Sequence, residues 1–343
     1  MKRKLFIILG CDTDPDRSYF VEGIGSRELS WRGMLEGIPR AKEKLAGMLD
    51  SDRKQPIFTW LLRADHQIRY YYGSYHHILS ENKRFLVDLE SDGDELGWHP
   101  HFWDFDENKQ EWFQNFSSIE WQLAMIEEAY DAYQEILPGR GKSIRMGWTY
   151  HNDQTVRAIN ELGIKVDISA IPAMSIRHDS RSRRSANFYD WSIAPRNPYH
   201  PSREDYRRPG DEDKGSYLLL MAPNFTSNSV FYGFLNGLVM ARKMLDARQL
   251  IRSIKKPAYM ATITTKPLLF RPMLSQIRKD LRGKGKVFYI TPFHPDELIP
   301  NIHPVYSLDN MEANIGSLLK LANEMDASVS YLRATEISDY IGD

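Results

Sequence analysis

Short apolar runs rich in β-branched residues alternate along this chain with longer stretches whose apolar positions recur at helical spacing. The pattern predicts strands over 5–11, 56–63, 95–99, 143–147, 164–169, 216–222, 258–264 and 287–291. It predicts helices over 34–49, 78–90, 119–137, 154–162, 241–254, 272–282 and 311–325. Strands separated by helical stretches of this length mark parallel βαβ units, and this many repeats favour a closed or nearly closed barrel over an open doubly wound sheet. One stretch, 175–215, breaks the rhythm. It is polar, basic around Arg181, Arg183 and Arg184, then acidic, with Pro195, Pro198, Pro201 and Pro209 scattered through it. It reads as a long insertion within a single domain spanning 1–343, either a solvated excursion or a loop that covers substrate.

Composition narrows the class. The 343 residues carry 45 Lys+Arg against 46 Asp+Glu, so no charge imbalance draws the chain to nucleic acid or to an anionic membrane surface. No run of about 18–20 apolar residues exists to span a bilayer. The single cysteine, Cys11, excludes an internal disulfide, and its place within the first strand suggests a small buried filler. The N-terminus has basic residues, an apolar run and Leu9-Gly10-Cys11, which imitates a lipoprotein signal. The run is too short for a signal core and leads straight into Asp12 and Asp14, so it reads as a first strand and the protein is expected to be cytoplasmic.

In a parallel barrel the chemistry sits at the C-terminal ends of the strands. The first predicted strand ends in Asp12 and Asp14, and the third in His99 and His101. The fourth runs through Arg145 to Trp148, Tyr150 and His151; the fifth carries Asp167, and the last ends at His294. In an extended segment residues two apart face the same side, so each pair can aim both members at one point. A carboxylate with imidazoles around an open coordination position is the donor set of a hydrolytic metal site. Taken singly, an Asp after a strand is more often a turn or capping residue. Trp60 and Trp98, inside strands, read as core, whereas Trp148 and Tyr150 read as flat surfaces for a sugar. His151 either touches substrate or caps the helix that follows. His66, His76 and His77, beside a Tyr-rich stretch, read as surface residues.

The ordered set resembles the polysaccharide deacetylases of the NodB-homology type, from Gly10-Cys-Asp12-Thr-Asp14 through Glu95-Leu-Gly-Trp-His99 and Arg145-Met-Gly-Trp to Pro-Phe-His294-Pro. The resemblance implies a distorted (β/α)7 barrel that removes an acetyl group from a sugar or glycan precursor, N-deacetylation foremost. It implies one divalent metal ion, zinc with cobalt or nickel as alternatives, held by Asp14, His99 and His101. It also implies Asp12 as general base, Arg145 as the group that orients it, and His294 as general acid. Trp148, Tyr150 and His151 would then meet the substrate. The chain departs from the family in one respect: the second metal histidine usually lies four residues after the first, where this sequence has Trp103, and His101 stands at a spacing of two. Two rival readings follow, a different amide or imide hydrolase on the same barrel, and a barrel that has lost catalysis and only binds a glycan or a partner.

Overall fold

The computed structural model of the chain describes residues 2–16, 29–176, 189–211, 215–232 and 258–341. Its main sheet is wholly parallel and runs β10-β7-β6-β3-β2-β1-β11. In chain order these are β1 (Arg3–Thr13), β2 (Phe58–Leu62), β3 (Glu95–Trp98), β6 (Ser143–Ile144), β7 (Val166–Asp167), β10 (Leu220–Met221) and β11 (Lys286–Phe293). An eighth strand, β12 (Ala327–Tyr331), pairs with the first half of β1, below the level at which β2 begins. The sheet curls into a half-barrel, as expected for a distorted (β/α)7 barrel. Its two edges are joined beyond β10, where the Phe225 N–H donates to the Ile290 carbonyl at 2.9 Å.

Alternation along each strand sorts the side chains into two cores. Leu5, Ile7, Leu9 and Cys11 of β1 face the surrounding helices together with Trp60 and Trp98, all fully buried. Phe6 and Ile8 face the lumen with Leu61, Val166, Ile168, Leu220, Ala222 and Ile290. Gly10 continues the inward series: a Cβ there would lie 2.9 Å from the end of the Ile168 side chain. The lower mouth is plugged by the 3-10 helix Ala334–Tyr340, which sends Ala334 and Ile337 into the lumen core. Its backbone is tied down by polar lumen residues, with the Ala334 N–H donating to Thr59 Oγ1 at 3.0 Å and the Thr335 N–H to Glu95 Oε2 at 3.1 Å. The upper mouth is left for chemistry.

Helices form close to their predicted spans where caps mark them. Ser118 caps the helix Ile119–Ile136, and Asn152 with Thr155 makes a capping box on Asp153–Glu161. The helix predicted from 272 instead starts at Pro267, a favoured first-turn position, and absorbs Pro272. The predicted 216–222 strand shrinks to Leu220–Met221, because Leu218 turns out into solvent. The predicted 258–264 strand is reduced to a bridge between Ser227 and Tyr259. A hairpin, β4 (Trp103–Asp106) with β5 (Glu111–Gln114), and the helix His66–Tyr72 were not legible in the periodicity. The helix predicted at 241–254 lies outside the described residues, as do Arg181, Arg183 and Arg184.

The described part of the 175–215 stretch is no solvated excursion. β8 (Ser175–Ile176) pairs antiparallel with β9 (Tyr189–Asp190), and Trp191, Tyr199 and Tyr206 are buried in the outer core.

The lumen core predicts a cost for any void opened in it. Replacing fully buried Ile8 by Ala should lower the unfolding free energy by about 2–5 kcal/mol. Urea denaturation measures this, and an unchanged midpoint would mean that the barrel interior is not packed.

Candidate active site

The same alternation that fills the lumen delivers the polar residues to its upper mouth. Following Gly10, Leu61, Gly97 and Ile290 upward along their strands leads to Asp12, Arg63, His99 and His294. These residues line one cavity of about 340 Å³ with Asp14, Pro15, His101, Trp103, Arg145, Trp148 and Thr149. Seven of the nine residues singled out from the sequence for catalysis, substrate or metal, Trp148 among them, therefore line this one cavity. Tyr150 and His151 stand behind it, because one φ +56° residue after another at Trp148 and Thr149 turns the chain away. Tyr150 packs on Phe102 and Phe116. His151 lies 2.7 Å from Asp167, both fully enclosed. Asp167 misses the cavity because Val166 and Ile168 on either side of it take the lumen face.

Three donors converge at one corner. Asp14, His99 and His101 offer ligand atoms that all lie within 4.8 Å of one another. His99 Nε2 lies 3.0 Å from His101 Nε2 and 3.7 Å from Asp14 Oδ2, while His101 Nε2 lies 3.5 Å from Asp14 Oδ1. The 2.6 Å contact of His99 Nδ1 with the Arg145 carbonyl fixes the tautomer, since a carbonyl only accepts. Nε2 of a neutral His99 must then present a lone pair to the corner. Burial and the nearby Arg63 guanidinium outweigh Asp14 and bring the His101 imidazole down to about 4, so it is neutral at ordinary pH. A carboxylate and two imidazoles facing one another suit a divalent cation, and the spacing of two between the histidines is no obstacle. Trp103, at the family's usual position, instead stacks beside the His101 ring at 6.3 Å and 9°.

The two carboxylates of the first strand are held differently. Asp12 Oδ2 meets Arg145 Nε at 3.0 Å, whereas Asp12 Oδ1 is buried with no hydrogen-bond partner. Arg145 is itself braced by the Asn224 side chain at 2.8 Å and the Ile168 carbonyl at 3.2 Å. Asp14 meets the buried Arg63 at 2.5 Å. Burial alone would raise the Asp14 carboxyl, but Arg63 and the two imidazoles hold it well below the usual carboxylate range. His294 lies 3.5 Å from Asp14 on one side and 3.6 Å from the buried Glu297 on the other.

No protein-family model matches the sequence, and no curated protein matches it significantly. Among solved structures the chain is similar to a protein from Parabacteroides distasonis provisionally assigned as a glycoside hydrolase/deacetylase. The TM-score is 0.54 at 12% identity, over 96% of this chain and 69% of that one. It is also similar to a protein from Mycobacterium smegmatis provisionally assigned as a polysaccharide deacetylase, with a TM-score of 0.52 at 12% identity, over 99% of this chain and 91% of that one. The chain shares the fold of these two proteins, a distorted (β/α)7 barrel.

Within this barrel, sequence reasoning overlooked Arg63. Its guanidinium donates to Asp14, to Asp65 at 2.6 Å and to Gln67 at 3.0 Å. Asp65 in turn caps the helix His66–Tyr72 and accepts the His101 N–H at 3.0 Å. The available signal was an Arg-x-Asp at the end of a parallel strand. Gly147 was also passed over: a Cβ there would lie 2.1 Å from Cγ of His101, so only glycine lets that ring reach the corner. His66, His76 and His77 lie on or beside short helices and are not among the cavity-lining residues.

Two outcomes are expected. Arg63→Met leaves two buried carboxylates without their guanidinium and should cost about 3–5 kcal/mol of stability in urea denaturation. Gly147→Ala should displace His101 and sharply reduce zinc bound per chain, measured by elemental analysis after loading and dialysis. Full zinc content in that variant would remove His101 from the donor set.

Proposed function

We propose that the protein is a metal-dependent hydrolase that removes an acetyl group, most readily an N-acetyl group, from a sugar or glycan. The observation that carries the reading is the Asp14, His99 and His101 corner opening into the same cavity as Asp12 and His294. A divalent cation held by those three residues, zinc in our reading, supplies Lewis acidity towards an acyl carbonyl and a water molecule. Asp12 accepts the proton of the attacking water at Oδ1, the oxygen left without a partner while Arg145 grips the other. The Arg145 guanidinium fixes the direction of the Asp12 side chain. His294 then gives a proton to the departing nitrogen, so that the C–N bond breaks to an amine and acetate. Trp148 offers a partly exposed indole to the apolar face of a pyranose, with Trp103 at right angles to it as a second wall. Tyr150 and His151 act from behind that wall. No helix of the described chain is long and apolar enough to cross a membrane.

The test is acetate release from triacetylchitotriose by zinc-loaded protein, before and after chelation. Release that stops with chelator and returns with zinc is the expected result. Asp12→Asn should lower turnover by about 10²–10⁴-fold with zinc content unchanged. Wild-type turnover in that variant would exclude Asp12 as the base. A metal-loaded protein that cleaves no acetyl group but opens a cyclic imide would favour the rival hydrolase reading.

A further inference from the structure

The wall that carries Trp148 is conformationally unfavourable. Trp148 adopts φ +56° and ψ +17°, and Thr149 follows at φ +56°. Left-handed backbone is uncommon for residues with a side chain and an outlier for a β-branched one, so two in succession persist only where surrounding structure enforces them. The turn also leaves Trp148 39% exposed at the cavity, while its neighbours Gly147 and Thr149 are buried.

The enforcement comes from the insertion. Trp191, fully buried, donates its indole N–H to the Thr149 carbonyl at 2.8 Å. Its own backbone is clamped by hydrogen bonds with Ala173 and Met174. Tyr206 packs edge-on against Trp191 at 5.1 Å, and its hydroxyl donates to the His151 carbonyl at 2.9 Å. His151 Nε2 lies 2.7 Å from Asp167 Oδ2, and its ring meets Trp191 at 6.0 Å. On the other side, the Gly147 N–H donates to the Pro100 carbonyl at 2.8 Å, which ties the turn to the histidine segment. The hydrogen bonds from Trp191, Tyr206 and Gly147 all involve backbone atoms of residues 147–151, and none of them involves the Trp148 indole.

We infer that the 189–206 segment is a buttress that forces Trp148 over the cavity, with Trp191 and Tyr206 as positioning residues for the substrate wall. Tyr150 and His151 serve the site through the same device, as supports rather than as groups that meet substrate. The role of Trp148 towards sugar rests on the deacetylase reading, but the mechanical claim does not.

The experiment uses full-length protein labelled with 5-fluorotryptophan, with the Trp148 ¹⁹F resonance assigned by its loss in Trp148→Phe. Tyr206→Phe removes one hydroxyl and no ring, so movement of that resonance reports on the turn itself. Trp191→Phe removes the indole donor but keeps an aromatic filler. We expect the Trp148 resonance to shift or broaden in both variants, with zinc content unchanged. With triacetylchitotriose as probe, KM should rise by about fivefold or more while kcat stays within about twofold, the signature of lost substrate binding without lost chemistry. A Trp148 resonance that stays put in Tyr206→Phe would overturn the inference, and so would a fall in kcat with KM unchanged. Should Trp191→Phe fail to fold, the Tyr206→Phe resonance decides alone. A wild type that turns over no acetylated sugar would sink the deacetylase reading, and the resonance would still decide the buttress.

Discussion

A curled parallel sheet admits only every second side chain of each strand to its interior, and the whole site follows from that constraint. Ile8, Gly10 and Asp12 rise along one strand, Leu61 and Arg63 along the next, Gly97 and His99 along a third. The lower layers are apolar and closed by the C-terminal 3-10 helix, while the upper layer is charged. No strand needs a special bend to present its catalytic candidate. The residue two positions above a lumen-filling one arrives there because the backbone is extended.

Packing charges in such a layer is costly unless each is matched. The match is made across strands. Arg145 from the end of β6 faces Asp12, and Arg63 from the end of β2 faces Asp14. The two pairings differ in consequence. Arg145 occupies one oxygen of Asp12 and leaves the other buried without a hydrogen-bond partner. Arg63 shares Asp14 with two imidazoles and also grips Asp65, so the corner that suits a cation is tied to the cap of a neighbouring helix. Arg63 thereby lowers the local negative charge while it holds the geometry, a balance that sets how strongly the corner attracts a cation.

The second support lies outside the strands. The turn after β6 spends backbone strain to expose Trp148, and the 189–206 segment supplies hydrogen bonds that hold it. Polar composition and four prolines hid this, because burial of Trp191, Tyr199 and Tyr206 depends on what the rest of the barrel leaves uncovered.

The sequence by itself determined the parallel α/β architecture, the Asp12 and Asp14 pair, the His99 and His101 pair, and the placing of Arg145 and His294 at strand ends. The long strands β1 and β11 have an alternation that can be read directly, and residues two apart keep the same face wherever the chain is extended. The tertiary structure decided the rest. β6, β7 and β10 are two residues long each, too short for their inward phase to be legible, so Asp167 pointed away and Trp148 parted company with Tyr150 and His151. Arg63 and Gly147 likewise gained their meaning only from neighbours supplied by other strands. A pairing register and a close approach are properties of two segments at once, and neither is written in one of them alone.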